Sequence, residues 1–97
     1  MPFTFKNQKK ETGLSAVGYP WPNVDIKFKK QVVGLISAPN YHQQKWKAAF
    51  TVKTEAGWGW IFLKHETESL DELKQYINSK FEALSNKYTF HVIEDND

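Results

Sequence analysis

The sequence predicts one small α+β domain, in which an antiparallel sheet of three to five strands packs one face against a single C-terminal helix. Segments between residues 24 and 63 alternate apolar and polar residues with the two-residue period of half-buried strands. Residues 70–86 instead repeat apolar residues at three- and four-residue spacing, which is typical of a helix packed on one side. The chain has 97 residues, 40% of them hydrophobic, which suffices for one compact core.

The pattern divides the chain into an arm, a domain and a tail. Residues 1–20 lack periodicity and contain Gly13, Gly18 and Pro20, so we expect a flexible or loosely packed arm. The domain proper is predicted over 21–93, because Pro20 and Pro22 exclude a helix where it begins. Residues 94–97 are predicted to be a frayed acidic tail.

The first strand signal covers residues 24–36. Val24, Ile26 and Phe28 alternate with charged residues, as in a half-buried strand, and residues 32–36 continue as a more fully buried run. Gly34 would suit a β-bulge. The pattern leaves open whether this segment is one bent strand or two.

A β-hairpin is predicted over residues 45–63. Trp46, Ala48, Phe50 and Val52 share one face of its first strand, and the lysines at 45, 47 and 53 share the other face with Ala49 and Thr51. In its second strand Trp58, Trp60 and Phe62 alternate with Gly59 and Ile61, so both sides are apolar. Either this strand is covered on both faces, or tryptophan surface is exposed. We favour two core tryptophans, because tryptophan commonly anchors a small core.

The helix over 70–86 has the clearest signals. Ser69 and Glu72 form a capping-box pattern, and Asp71 and Glu72 lie in the first turn, where the helix dipole favours negative charge. A short terminal strand is predicted over 88–93. The expected core residues are Phe50, Val52, Leu70, Leu73, Ile77, Phe81 and Leu84.

The chemical inventory does not favour an enzyme. His42, His65 and His91 lie far apart without the close spacing of zinc ligands. There is no nucleophile elbow, phosphate loop or dinucleotide fingerprint. The acids between 66 and 72 are explained by helix capping. We therefore expect a non-enzymatic binding module with no metal and no cofactor.

Cysteine usage and hydropathy bear on the compartment. The sequence has no cysteine, which suits a reducing environment. No stretch approaches the roughly 20 apolar residues that span a bilayer. A cytoplasmic protein without a membrane partner is therefore expected.

The charges point to a binding surface. Residues 1–50 contain eight lysines and two acids, whereas residues 51–97 contain five lysines and nine acids. A basic face could attract phosphates, with exposed indoles receiving bases. The candidate nucleic-acid-binding residues on this basis are Lys27, Lys29, Lys45, Lys47, Lys53, Trp58 and Trp60. The alternative is a protein-interaction module that uses exposed aromatics or an unpaired sheet edge to bind an acidic or apolar partner.

Part of the pattern resembles a known family. Residues 45–50, a turn, residues 58–63 and the following helix are similar to AP2-like and integrase arm-type DNA-binding domains. The resemblance covers roughly residues 32–84 and implies a three-stranded sheet laid in the major groove. It would make Lys45, Lys47, Thr51 and Lys53 the groove-facing contacts. The chain has no arginine, and because lysine acts as a point charge on phosphate, we expect weak sequence selectivity.

Overall fold

The computed structural model describes residues 2–8, 22–39 and 44–95. Its five main strands are β1 (Phe3–Asn7), β2 (Val24–Phe28), β3 (Gln31–Ser37), β4 (Lys47–Thr54) and β5 (Gly57–Phe62). They form an antiparallel meander in the order β1-β2-β3-β4-β5. Helices α1 (Leu70–Ser79) and α2 (Phe81–Lys87) follow, and the short strand β6 (Glu94–Asp95) pairs with β3. The predicted small α+β domain is confirmed.

The helical region differs from the predicted single helix. Ser69 caps α1 as expected, because its hydroxyl accepts a hydrogen bond from the Glu72 N–H at 3.2 Å. The helix is interrupted at Lys80, whose φ of −97° and ψ of 5° are not helical. One residue earlier, the Ser79 hydroxyl donates to the Tyr76 carbonyl at 2.6 Å, a local bond that competes with regular helix geometry. Neither helix is long and apolar enough to cross a membrane, in the part of the chain described.

The beginning of the chain corrects the predicted arm. Residues 3–7 form β1, which pairs along its length with β2. Phe3 is only 1% exposed, and its N–H donates to the Asn78 side-chain oxygen at 2.9 Å. The prediction of a loose arm is therefore wrong for these residues, because a five-residue strand with only two inward side chains gives little periodic signal. Residues 9–20 lie outside the described part of the chain.

Phe3 lies at the centre of an aromatic cluster. Its ring centroid is 5.3 to 6.0 Å from those of Phe28, Phe50, Phe81 and Phe90. The cluster thus joins β1, β2 and β4 to α2 and to the C-terminal segment. The predicted core is confirmed: Phe50, Val52, Leu73, Ile77 and Leu84 are buried, and Leu70 and Phe81 pack against them half-buried.

Residues 24–37 form two strands rather than one bent strand. Lys29 and Lys30 make the turn between them, with positive φ angles of 52° and 68°. The pairing of β2 with β3 shifts register between Ile26 and Lys27. Nearby, a Cβ on Gly34 would lie 2.5 Å from the Ala49 carbonyl oxygen, so β3 and β4 approach too closely for any side chain there.

The C-terminal segment, residues 89–95, lies between two diverging strands. β3 and β4 pair directly only over Gly34–Ser37 and Lys47–Phe50. Beyond that point, the Lys53 N–H donates to the Thr89 carbonyl and the His91 N–H to the Thr51 carbonyl, while the Ile93 N–H donates to Val32 on the other side. The predicted tail is corrected for residues 94 and 95, whose backbone forms β6. Residues 96 and 97 lie outside the described residues.

Candidate nucleic-acid interface

The two faces of the sheet differ in charge. Residues paired across antiparallel strands have their side chains on the same face of the sheet. One row of such partners runs from β1 to β5 and consists of Lys6, Asp25, Leu35, Ala49 and Phe62. The neighbouring row is Phe5, Ile26, Gly34, Phe50 and Ile61, which faces the helices. We call the side of the first row the outer face and that of the second the helix face. Alternation along each strand places every charged residue of β1–β5 on the outer face: Lys6, Asp25, Lys27, Lys47 and Lys53.

The aromatic side chains of β5 lie on the outer face and are exposed. Trp58 is 49% exposed, Trp60 42% and Phe62 77%. The favoured prediction of two core tryptophans is therefore wrong. β5 ends the meander and the helices cover only its other side, so the helix layer does not bury these rings.

The rings are arranged in a defined way. The two indoles meet edge to face, with ring centroids 6.3 Å apart. Trp58 also stacks on the His91 imidazole at 4.8 Å and only 9° from parallel. One side of the Trp58 indole is thus occupied by His91, which fixes the ring on the surface.

Three of the five predicted lysines share the outer face with these rings. Lys53 is exposed and pairs across the strands with Trp58. Lys47 lies on the same strand, and its ammonium is 3.5 Å from a carboxylate oxygen of Glu66. Lys27, on β2, lies opposite Thr4.

The other two lysines lie outside the strands. Lys29 is in the β2–β3 turn, with its ammonium 5.3 Å from the ring centroid of Phe28, a helix-face residue. Lys45 is exposed but precedes β4. The predicted set of five lysines therefore does not converge completely.

Thr51 is excluded as a contact residue. Its side chain is fully buried, and its hydroxyl lies 2.6 Å from the carbonyl oxygen of His91 and 3.1 Å from that of Val33. It therefore holds the C-terminal segment against β3 and β4. The groove-facing role implied by the family resemblance required an exposed side chain at this position.

Two residues of the outer face escaped the sequence reasoning. Lys6 was assigned to the arm, and His91 belongs to a segment distant in sequence from β5. The alternation of Phe90, His91 and Val92 could have placed the imidazole opposite the core, but only the tertiary structure places it under Trp58.

Within the described ranges, no three histidine, aspartate or glutamate side chains come together to hold a metal ion. Comparison of the chain with family models, curated proteins and solved structures finds no match.

Proposed function

We propose that this protein is a small non-enzymatic module that binds single-stranded nucleic acid on its outer face with weak sequence selectivity. The observation that carries the proposal is the row of exposed rings on β5, on the same face as four lysines of the sheet. Exposed rings receive bases, and lysines neutralise the phosphates that connect them.

The geometry of the rings favours a single strand over a duplex. Bases paired in a duplex stack on each other and hide their faces, whereas those of a single strand are free to stack on side chains. Trp58, Trp60 and Phe62 are spaced two residues apart, which places them about 7 Å apart along the strand. His91 leaves one indole face of Trp58 for a ligand.

The charges also agree with weak selectivity. The outer-face side chains of β1–β5 include four lysines and one aspartate. An oxygen of that aspartate, Asp25, accepts a hydrogen bond from the Gln8 side-chain amide at 2.7 Å. The chain has no arginine to make bidentate contacts with guanine. Lysine recognises phosphate as a point charge, whatever the base.

The proposal is tested by fluorescence anisotropy with a labelled oligothymidylate of about 15 nucleotides. Lys27→Ala combined with Lys53→Ala should weaken binding and reduce the slope of log affinity against log salt by about one per lost contact. Trp60→Ala should cost about 1–3 kcal/mol of binding. Lys45→Ala combined with Lys47→Ala should have a smaller effect, because Lys47 already has Glu66 as a partner.

The matched control removes the same charge from the helix side. Lys74→Ala combined with Lys87→Ala changes net charge equally but leaves the outer face intact. This control should retain more affinity than the Lys27 and Lys53 pair. Equal losses in both pairs, or no binding by the unmutated protein at low salt, would overturn the proposal.

A further inference from the structure

The free edge of β5 differs from the other edge of the meander. Among the described residues, β5 pairs with β4 alone. Its sequence from Gly57 to Phe62 contains no charge and no proline, which are the usual devices that keep an edge strand from pairing. β1, at the opposite edge, carries Lys6 and is preceded by Pro2. Within the described part of the chain, the β5 edge therefore has none of these protective features.

The direction of the backbone groups can be read from one bond. The Leu63 N–H donates to the Ala48 carbonyl on β4 at 3.0 Å. Hydrogen bonding alternates along an antiparallel edge strand, so the N–H and C=O groups of Trp58, Trp60 and Phe62 point away from β4. These groups could pair with an added strand.

A groove runs beside this edge on the helix side. It has a volume of about 250 Å³ and lies between the end of β5 and the two helices. Its apolar walls include Ile61, Leu63, Tyr76 and Leu84, and its charged residues are Lys80 and Lys87. No acid lines it.

The ammonium groups of the two lysines at the groove contact aromatic rings rather than carboxylates. The Lys80 ammonium lies 5.5 Å from the ring centroid of Tyr76, and that of Lys87 lies 5.4 Å from the centroid of Tyr88. Neither forms an ion pair among the described residues. Both positive charges are therefore available to an acidic ligand.

We propose that the β5 edge and this groove bind an extended segment of a partner protein in which apolar and acidic residues are combined. The segment adds a strand to β5, so alternate side chains enter the groove beside Ile61. Its apolar side chains contact the groove walls and its carboxylates meet Lys80 and Lys87. This surface meets the outer face at Phe62, whose ring lies on the outer face and whose backbone lies at the β5 edge beside the groove.

A second copy of this chain fits less well. If β5 paired with β5 across a two-fold axis, the helix layers of the two copies would adjoin. Lys80 and Lys87 of each copy would then lie on the same side as those of the other, with like charges opposed. An acidic segment instead neutralises them.

The test is selection of peptides from a random display library on the unmutated protein, followed by affinity measurement of the enriched peptides. We expect enrichment of acidic and apolar residues, and amide chemical-shift changes along β5 and at the groove. Phe62→Pro should weaken these peptides about tenfold, because it removes an outward N–H without touching the β4 ladder. Phe62→Ala is the matched control, since it removes the same ring but retains the N–H.

Charge is tested separately. Lys80→Glu combined with Lys87→Glu should weaken the selected peptides about tenfold or more, whereas Lys74→Glu, outside the groove lining, should have a smaller effect. Lys27→Ala with Lys53→Ala should leave peptide binding unchanged, which separates this proposal from the nucleic-acid one.

Three outcomes would overturn the proposal. The first is no enriched peptide, or peptides that bind Phe62→Pro as well as Phe62→Ala. The second is dimerisation in sedimentation experiments that Phe62→Pro abolishes, which would assign the edge to a second copy. The third is a loss of oligothymidylate affinity in the Lys80→Glu and Lys87→Glu variant as large as its loss of peptide affinity, which would assign the groove to nucleic acid.

Discussion

The helix face and the outer face of the same sheet use aromatic residues in opposite ways. On the helix face, Phe3 and Phe50 are at most 1% exposed and lie within a cluster of five rings. On the outer face, Trp58, Trp60 and Phe62 are 42% to 77% exposed beside lysines. Residue type alone therefore does not decide burial here. What differs is the second layer, because the helices cover one side only.

The largest expected effect compares the two faces on a single strand. Phe3→Ala should destabilise the protein by about 3–5 kcal/mol, because it leaves a cavity at the centre of the aromatic cluster. The measurement is urea unfolding followed by tryptophan fluorescence.

Thr4→Ala is the control, since Thr4 is exposed on the same strand and faces outward. It should change stability by less than about 0.5 kcal/mol. Similar small effects in both variants would show that β1 is the loose arm that the sequence predicted.

The next effect compares the middle of the sheet with its β5 edge. Gly34→Ala should destabilise by about 1–3 kcal/mol, because the new Cβ would lie 2.5 Å from the Ala49 carbonyl oxygen and the two strands would have to separate. Thermal unfolding of the purified variant measures the loss.

Gly59→Ala provides the matched substitution on β5. A Cβ there would lie 3.7 Å from the nearest atom, the Thr54 methyl, so stability should stay within about 0.5 kcal/mol of the unmutated protein. Equal destabilisation by both alanines would contradict the close approach of β3 and β4.

The smallest expected change in stability concerns the turn between β2 and β3. This turn fixes how the two strands pair and therefore which of their side chains lie on each face of the sheet. Lys29→Asn combined with Lys30→Gly should stabilise the protein by about 0.5–1 kcal/mol. Asparagine and glycine adopt the positive φ angles of this two-residue turn more readily than lysine does. Denaturant titration measures the gain.

Lys29→Ala combined with Lys30→Ala removes the same charges and is the control. Alanine does not relieve the left-handed conformation, so no stabilisation is expected from this pair. A gain as large as that of the first pair would mean that charge repulsion, rather than backbone conformation, limits the turn.

Local patterns in the sequence predicted much of the fold. The period-two alternation assigned the faces of β4 correctly, and Ser69 with the apolar repeat after it predicted the start and buried side of α1. These signals work because they depend on neighbours within a few residues, where backbone geometry fixes which side chains share a face. The break at Lys80 was missed, since the apolar repeat continues across it from Ile77 to Phe81 and Leu84.

The candidate site was predicted only in part. The sequence identified Lys27, Lys47 and Lys53 as members of a basic surface, and their shared face follows from strand alternation and pairing. It also proposed Thr51, which is buried because a segment 40 residues later supplies its acceptor. Such a contact leaves no periodic trace in either segment.

The sequence by itself determined the α+β class, the core residues contributed by β4 and the helices, and the side of each predicted strand on which a residue lies. Only the tertiary structure decided that β1 belongs to the sheet, that β5 is an edge and that the C-terminal segment fills the gap between β3 and β4. Trp58 and Trp60 are exposed because β5 is an edge strand whose outer face no second layer covers in the described part of the chain. The physical reason is that alternation fixes a side chain's direction relative to its own strand, whereas burial depends on which other layer packs against that side.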